Sequence, residues 1–205
     1  ENARRLAAGV PAIPVGGGDE IAQLDLVYRT MAEKIQTSSR SIALMQRALL
    51  PDLPRIKNLG VDSFYAAPEN ANIGGDWFDL FVLSGDRLGL SIGDVTGHGL
   101  HAATAMGYVR QALRIVARGE TDPAAVMRDV NDVLCSAERG IIVTAFFGVL
   151  ERASGKLSYA NAGHAPPIVA SPDGALSTLA GAGMLLGIDA GIEYTRYERA
   201  LVPGE

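Results

Sequence analysis

From Val61 onward, short apolar runs alternate with Gly, Asn and Asp turns, and this punctuation limits the fold more than any other feature. The runs cover 61–67, 77–83, 88–95, 142–150, 156–162, 167–170, 175–179 and 192–202. The links at 84–87, 152–155 and 171–174 are of hairpin length, so neighbouring strands pair antiparallel. Two helical patterns separate the third run from the fourth. In the first, Ala102, Ala105, Met106, Val109, Leu113 and Val116 share a face. The second opens on Asp122 as N-cap with Pro123 at the first helical position, and it buries Val126, Met127, Val130, Val133 and Leu134. Antiparallel strands around one block of helices read as α+β layers. Run 142–150 is apolar on both faces, which places it centrally between layers.

Upstream the period changes. A breaker-rich connector at 9–18 leads to Asp19 and Glu20, which favour a helix start. Apolar residues then follow at Ile21, Leu24, Tyr28, Met31, Ile35, Ile42, Met45 and Leu49, in steps of three and four interrupted by Ser38. Such spacing predicts a coiled-coil seam and a homodimer through helix 19–50. A lone amphipathic helix lying on the following domain is the alternative. Pro51 and Pro54 end the pattern. Leu6-Ala7-Ala8-Gly9, Ile13-Pro14-Val15 and Asp19-Glu20-Ile21 with Leu24 resemble the C-terminal half of a HAMP signalling module. That resemblance implies a parallel dimer, a membrane span upstream, and a full-length protein attached to the inner membrane with this chain on its cytoplasmic side. The expected division is 1–36 HAMP-like, 37–54 linker helix and Pro-rich exit, and 55–205 the main domain.

Composition removes other classes. With 18 Lys and Arg against 23 Asp and Glu, the net charge of −5 argues against a nucleic-acid partner, which needs a basic footprint. The single cysteine, Cys135, excludes a disulfide scaffold and points to a reducing, cytoplasmic compartment; beside Leu134 it reads as a core residue. The apolar stretch 141–150 is too short to cross a bilayer, so any membrane contact runs through segments outside this chain.

Two carboxylates carry the chemistry. Asp76 follows Gly74-Gly75 and opens a strand; Asp94 closes the next strand, ahead of Thr96-Gly97-His98-Gly99. A turn centred on Gly85 and Asp86 sets Asp94 opposite Trp77 and both acids at one open hairpin end. Whether they share a face depends on a single step of register. Two adjacent anions repel, and one retains a proton unless a cation lies between them. Mg²⁺ or Mn²⁺ suits such oxygen donors. Taken singly, each acid also reads as an ordinary solvated turn residue.

Gly74-Gly75-Asp76-Trp77-Phe78-Asp79, Gly93-Asp94-Val95-Thr96-Gly97-His98-Gly99 with Ala102-Ala103, and Asn161-Ala162-Gly163-His164-Ala165-Pro166-Pro167 occur in order. These blocks, with Leu49-Leu50-Pro51 and Leu186-Gly187-Ile188, resemble the bacterial PPM phosphatases of the RsbU/SpoIIE group, relatives of protein phosphatase 2C. The resemblance implies an αββα sandwich, truncated at its C-terminal end and preceded by the coiled-coil helix. It also implies a metal-dependent phosphoserine/phosphothreonine protein phosphatase whose substrate is a phosphorylated anti-sigma-factor antagonist or a similar regulator. By the same resemblance Asp94 bridges two ions, Mn²⁺ or Mg²⁺, the Val95 carbonyl serves one of them, Asp76 holds the attacking water, and His98 donates a proton to the leaving oxygen. By its own position His98 reads first as a structural turn residue ahead of a helix, His164 as structural, His101 as solvent-exposed and Trp77 as packing.

The family pattern continues past Glu205 with a Thr-Asp-Gly-like turn and another acid, which this sequence does not contain. Two carboxylates and a carbonyl predict weak binding of at most one ion and little hydrolysis. Two other readings remain. One is a non-catalytic dimeric signalling module that uses the helices at 100–138 as its surface. The other is a diguanylate cyclase, suggested by Gly74-Gly75-Asp76 but opposed by Trp77-Phe78 where that motif has Glu-Phe.

Overall fold

The computed structural model describes residues 51, 53–64, 74–136 and 140–205. All of them belong to one compact unit, Leu49–Glu205. The HAMP-like segment, the heptad helix and nearly all of the linker lie outside the described residues.

Strands β1 (Trp77–Leu83) and β2 (Arg87–Val95) form the first hairpin. Two helices follow, α1 (Gly99–Gly119) and α2 (Pro123–Ser136). Then come β3 (Val143–Glu151), β4 (Lys156–Ala162), β5 (Ile168–Ala170), β6 (Leu176–Thr178) and β7 (Tyr197–Ala200). Five strands make one antiparallel sheet in the order β1-β2-β3-β4-β7, and β5 and β6 form a second, two-stranded sheet. β3 is the middle strand, as its two apolar faces require. Among the described residues no helix is long and apolar enough to cross a membrane.

The pleat sorts side chains onto two faces. On one, Trp77, Phe81, Val143, Phe147 and Ala160 pack against Met106, Val109 and Leu113 of α1 and Val126, Met127 and Val130 of α2. Helix α1 lies over β1 and β2, and α2 over β3 and β4. Asp122 starts α2 as its spacing predicts, its Oδ1 accepting the Ala124 N–H at 3.2 Å. On the opposite face Phe146, Leu157 and Tyr159 gather with Val169 and Leu179 from around the small sheet. Phe146, Tyr159 and Tyr197 stack in a row across β3, β4 and β7, with ring centroids 5.4 and 5.5 Å apart. Helix pair, large sheet and small second sheet are layers of the expected α+β sandwich.

Four expectations need correction, the first being Val133 of α2, which is exposed rather than buried. Residues 61–64 form no strand, because no described strand lies beside them to complete a ladder. The last run, expected over 192–202, pairs only through Tyr197–Ala200, its partner β4 offering four positions. Cys135 is half-buried, since Leu134 takes the core position beside it.

Candidate active site

The first hairpin turns through Ser84, Gly85 and Asp86, and the ladder closes at Leu83↔Arg87. Gly85 and Asp86 both adopt left-handed φ, 69° and 59°, which glycine adopts freely and aspartate tolerates. A three-residue connection shifts the register by one from the centre read in the sequence. Trp77 therefore pairs with Gly93, and the Val95 N–H donates to the Gly75 carbonyl at 3.3 Å. Continued through that bond, the register sets Asp76 directly across from Asp94 rather than Trp77 opposite Asp94 as the sequence suggested. By the alternation of antiparallel pairs, this position is the closely spaced, non-hydrogen-bonded kind, where side chains come nearest. Both carboxylates stand on the face away from the helices.

Their proximity has an electrostatic signature. Asp94 is pushed up from the ordinary carboxylate range, first by partial desolvation, then by the charge of Asp76, then by a hydrogen bond shared between the two carboxyl groups. No ion pair among the described residues involves either acid. Gly75 keeps the Val95 carbonyl reachable: a Cβ there would come 2.3 Å from that oxygen. A hard divalent cation fits this donor set of two carboxylates and one carbonyl. Among the described residues no group of three or more His, Cys, Asp and Glu side chains converges.

Across β3 the row continues. Thr144 pairs with Asp94, and its hydroxyl lies 2.9 Å from Nδ1 of His164. Burial pulls the His164 ring below its ordinary pKa, and the nearby charge of Asp76 opposes that shift. Asn161 holds the residue in place: its side-chain amide donates to the His164 carbonyl at 2.9 Å, and the His164 N–H donates back to its Oδ1 at 2.8 Å. The neighbouring turn uses Gly163 at φ 69°. The sequence reading treated His164 as a turn residue and did not single out Thr144. The signal for Thr144 was present as the lone hydroxyl in an otherwise apolar run, but it acquires meaning only once β3 is laid beside β2.

His98 sits exposed at the N-cap of α1, makes no side-chain cap hydrogen bond and contacts neither carboxylate among the described residues. His101 is exposed as expected. Trp77 is 2% exposed and donates from its indole to Ser91 Oγ at 3.2 Å, which makes it a packing residue.

An antiparallel sheet backed by a pair of helices is the PP2C-like fold, and solved structures share it. The SiaA PP2C domain of Pseudomonas aeruginosa superposes with a TM-score of 0.64 at 24% identity, over 84% of this chain and 69% of that one. A family model described as Stage II sporulation protein E (SpoIIE) matches residues 84–205, more than half of the chain, and the chain belongs to that family. Protein IcfG of Synechocystis is 30% identical over 192 residues, 78% of this chain and 30% of that protein. Phosphoserine phosphatase RsbU of Bacillus subtilis is 24% identical over 180 residues, 86% of this chain and 53% of RsbU. The chain thus spans about a third to a half of the length of these relatives.

Proposed function

We propose that this chain is the phosphatase domain of a bacterial signalling protein that removes phosphate from phosphoserine or phosphothreonine of another protein. One observation carries the reading: Asp76 and Asp94 stand across the first hairpin on one face, and among the described residues no Lys or Arg forms an ion pair with either. Family membership supports it, as does likeness to a relative named a phosphoserine phosphatase. An anti-sigma-factor antagonist or similar regulator is the substrate suggested by the motif blocks. The same family placement weighs against the cyclase reading.

Asp76, Asp94 and the Val95 carbonyl would hold Mg²⁺ or Mn²⁺, which when bound neutralises phosphoryl charge and acidifies water. Asp76 accepts a hydrogen bond from the attacking water and orients it. Gly97 and Gly99, in the loop that follows Asp94, border open space, an added Cβ at either meeting nothing within 4 Å. His98, next to that space, is the sequence-based candidate for protonating the leaving oxygen. With two carboxylates in place, this chain binds one ion weakly and turns over slowly. Dimerisation through 19–50 and membrane attachment upstream belong to the same proposal and rest on sequence spacing.

The test is Mn²⁺-dependent release of phosphate from a phosphoserine peptide, compared between this chain and one extended through the strands expected after Glu205. Much faster release by the longer chain supports the reading. Equal rates would show that two carboxylates suffice, and no release by either would end the phosphatase assignment.

A further inference from the structure

We propose that His164 is a substrate-contacting residue of this site, donating a hydrogen bond from Nε2 to an oxygen of the phosphoryl group. The proposal rests on the phosphatase reading and adds to it a donor that the sequence reading did not assign. Geometry puts the ring there. Asp76, Asp94 and Thr144 occupy one cross-strand row, and Thr144 reaches His164 Nδ1 at 2.9 Å. Two further bonds from Asn161 fix the His164 backbone at 2.8 and 2.9 Å, so both chain and ring are held before any ligand arrives.

The Thr144–Nδ1 contact is compatible with either direction, and we take the one in which the hydroxyl donates: a neutral ring then carries its hydrogen on Nε2, an atom with no partner among the described residues. Burial favours the neutral ring. An anionic phosphoryl group approaching two carboxylates needs donors as well as a cation, and among the described residues no Lys or Arg forms an ion pair with either acid. Nε2–H of His164 supplies one.

Two substitutions separate contact from scaffolding. Gln places its amide nitrogen near the position of Nε2, whereas the shorter Asn reaches only the position of Nδ1, where its amide oxygen accepts from Thr144 and keeps that tether alone. In the Mg²⁺-loaded full chain, His164→Ala and His164→Asn should lower kcat/KM on a phosphoserine peptide roughly 100-fold, the scale of a lost transition-state donor, with His164→Gln recovering most of it. A scaffolding role gives the reverse order, with Asn rescuing and Gln failing, and would overturn the proposal. So would an alanine variant within threefold of wild type. Independently, inorganic phosphate added to the Mg²⁺-loaded protein should move the His164 ring resonances by NMR; bound phosphate that leaves them unmoved contradicts the contact. If neither the wild-type chain nor the one extended past Glu205 releases phosphate from the peptide, the phosphatase reading itself falls, and the phosphate titration then decides His164 alone.

Discussion

Asp79 and Asp76 lie three residues apart on one hairpin arm, on opposite faces of the sheet, and their surroundings differ completely. Asp79 points toward the helices, with its carboxylate wholly buried. Arg114 of α1 grips it through two nitrogens at 2.5 and 2.7 Å while stacking over Phe81 at 5.1 Å, and the charge of Arg110 adds to the site. Asp76 faces the other way and meets Asp94, another acid. One carboxylate is neutralised by the protein itself and joins β1 to α1. The other two are left mutually repelling. Among the described residues guanidinium groups reach Asp79 while no Lys or Arg forms an ion pair with Asp76 or Asp94, and that contrast supports the proposed cation site on the second face.

The comparison breaks most visibly at Arg114. Replacing it with alanine leaves the Asp79 charge buried, and the loss should be about 3 kcal/mol, the low end for a broken buried pair because Arg110 remains nearby. Urea unfolding measures it directly; a loss under about 1 kcal/mol would mean the pair behaves like a surface one. Next in size is Gly93→Ala. An added Cβ would lie 2.1 Å from the Trp77 ring and 2.4 Å from the Thr144 carbonyl, so overpacking of about 1–3 kcal/mol is expected, seen as a lower melting temperature.

On the other face the sign reverses. Without metal, Asp94→Asn removes one of two like charges and should stabilise the chain by about 1 kcal/mol, the repulsion of unit charges about 4 Å apart in water-like surroundings. Calorimetry in chelator checks this, and a destabilised variant would deny the repulsion. The smallest effect is in pH. Since Asp94 keeps its proton to a higher pH folded than unfolded, its contribution to apo stability is present at low pH and is lost as pH rises through the folded value. Cation affinity should climb over that same window, because proton and ion compete for the carboxylate. A flat affinity across it would separate Asp94 from the metal.

Much of this was legible in the residues. Strand β4 begins and ends where its apolar run does, and Asp122-Pro123 fixes the start of α2, since both signals are local. Asp76 and Asp94 were legible too, because a hairpin brings its ends together whatever else the chain does. Their register was not. Asp86 joins Gly85 in the left-handed region, making the turn three residues long, and its side chain is held by Arg152, a residue 66 positions away. Asp79 and His164 were opaque for the same reason: each acquires its role from a partner on another element, Arg114 in one case and Thr144 in the other.

The central claim is the proposal that Asp76 and Asp94 together bind a divalent cation. Titrating the purified chain with Mn²⁺ by calorimetry, beside its Asp94→Asn variant, tests this most directly. The account predicts about one ion per chain, with affinity falling at least about tenfold in the variant, a loss that even outer-shell changes cause at metal sites. Equal affinity in both proteins, or no binding to the wild-type chain at any attainable concentration, would contradict it.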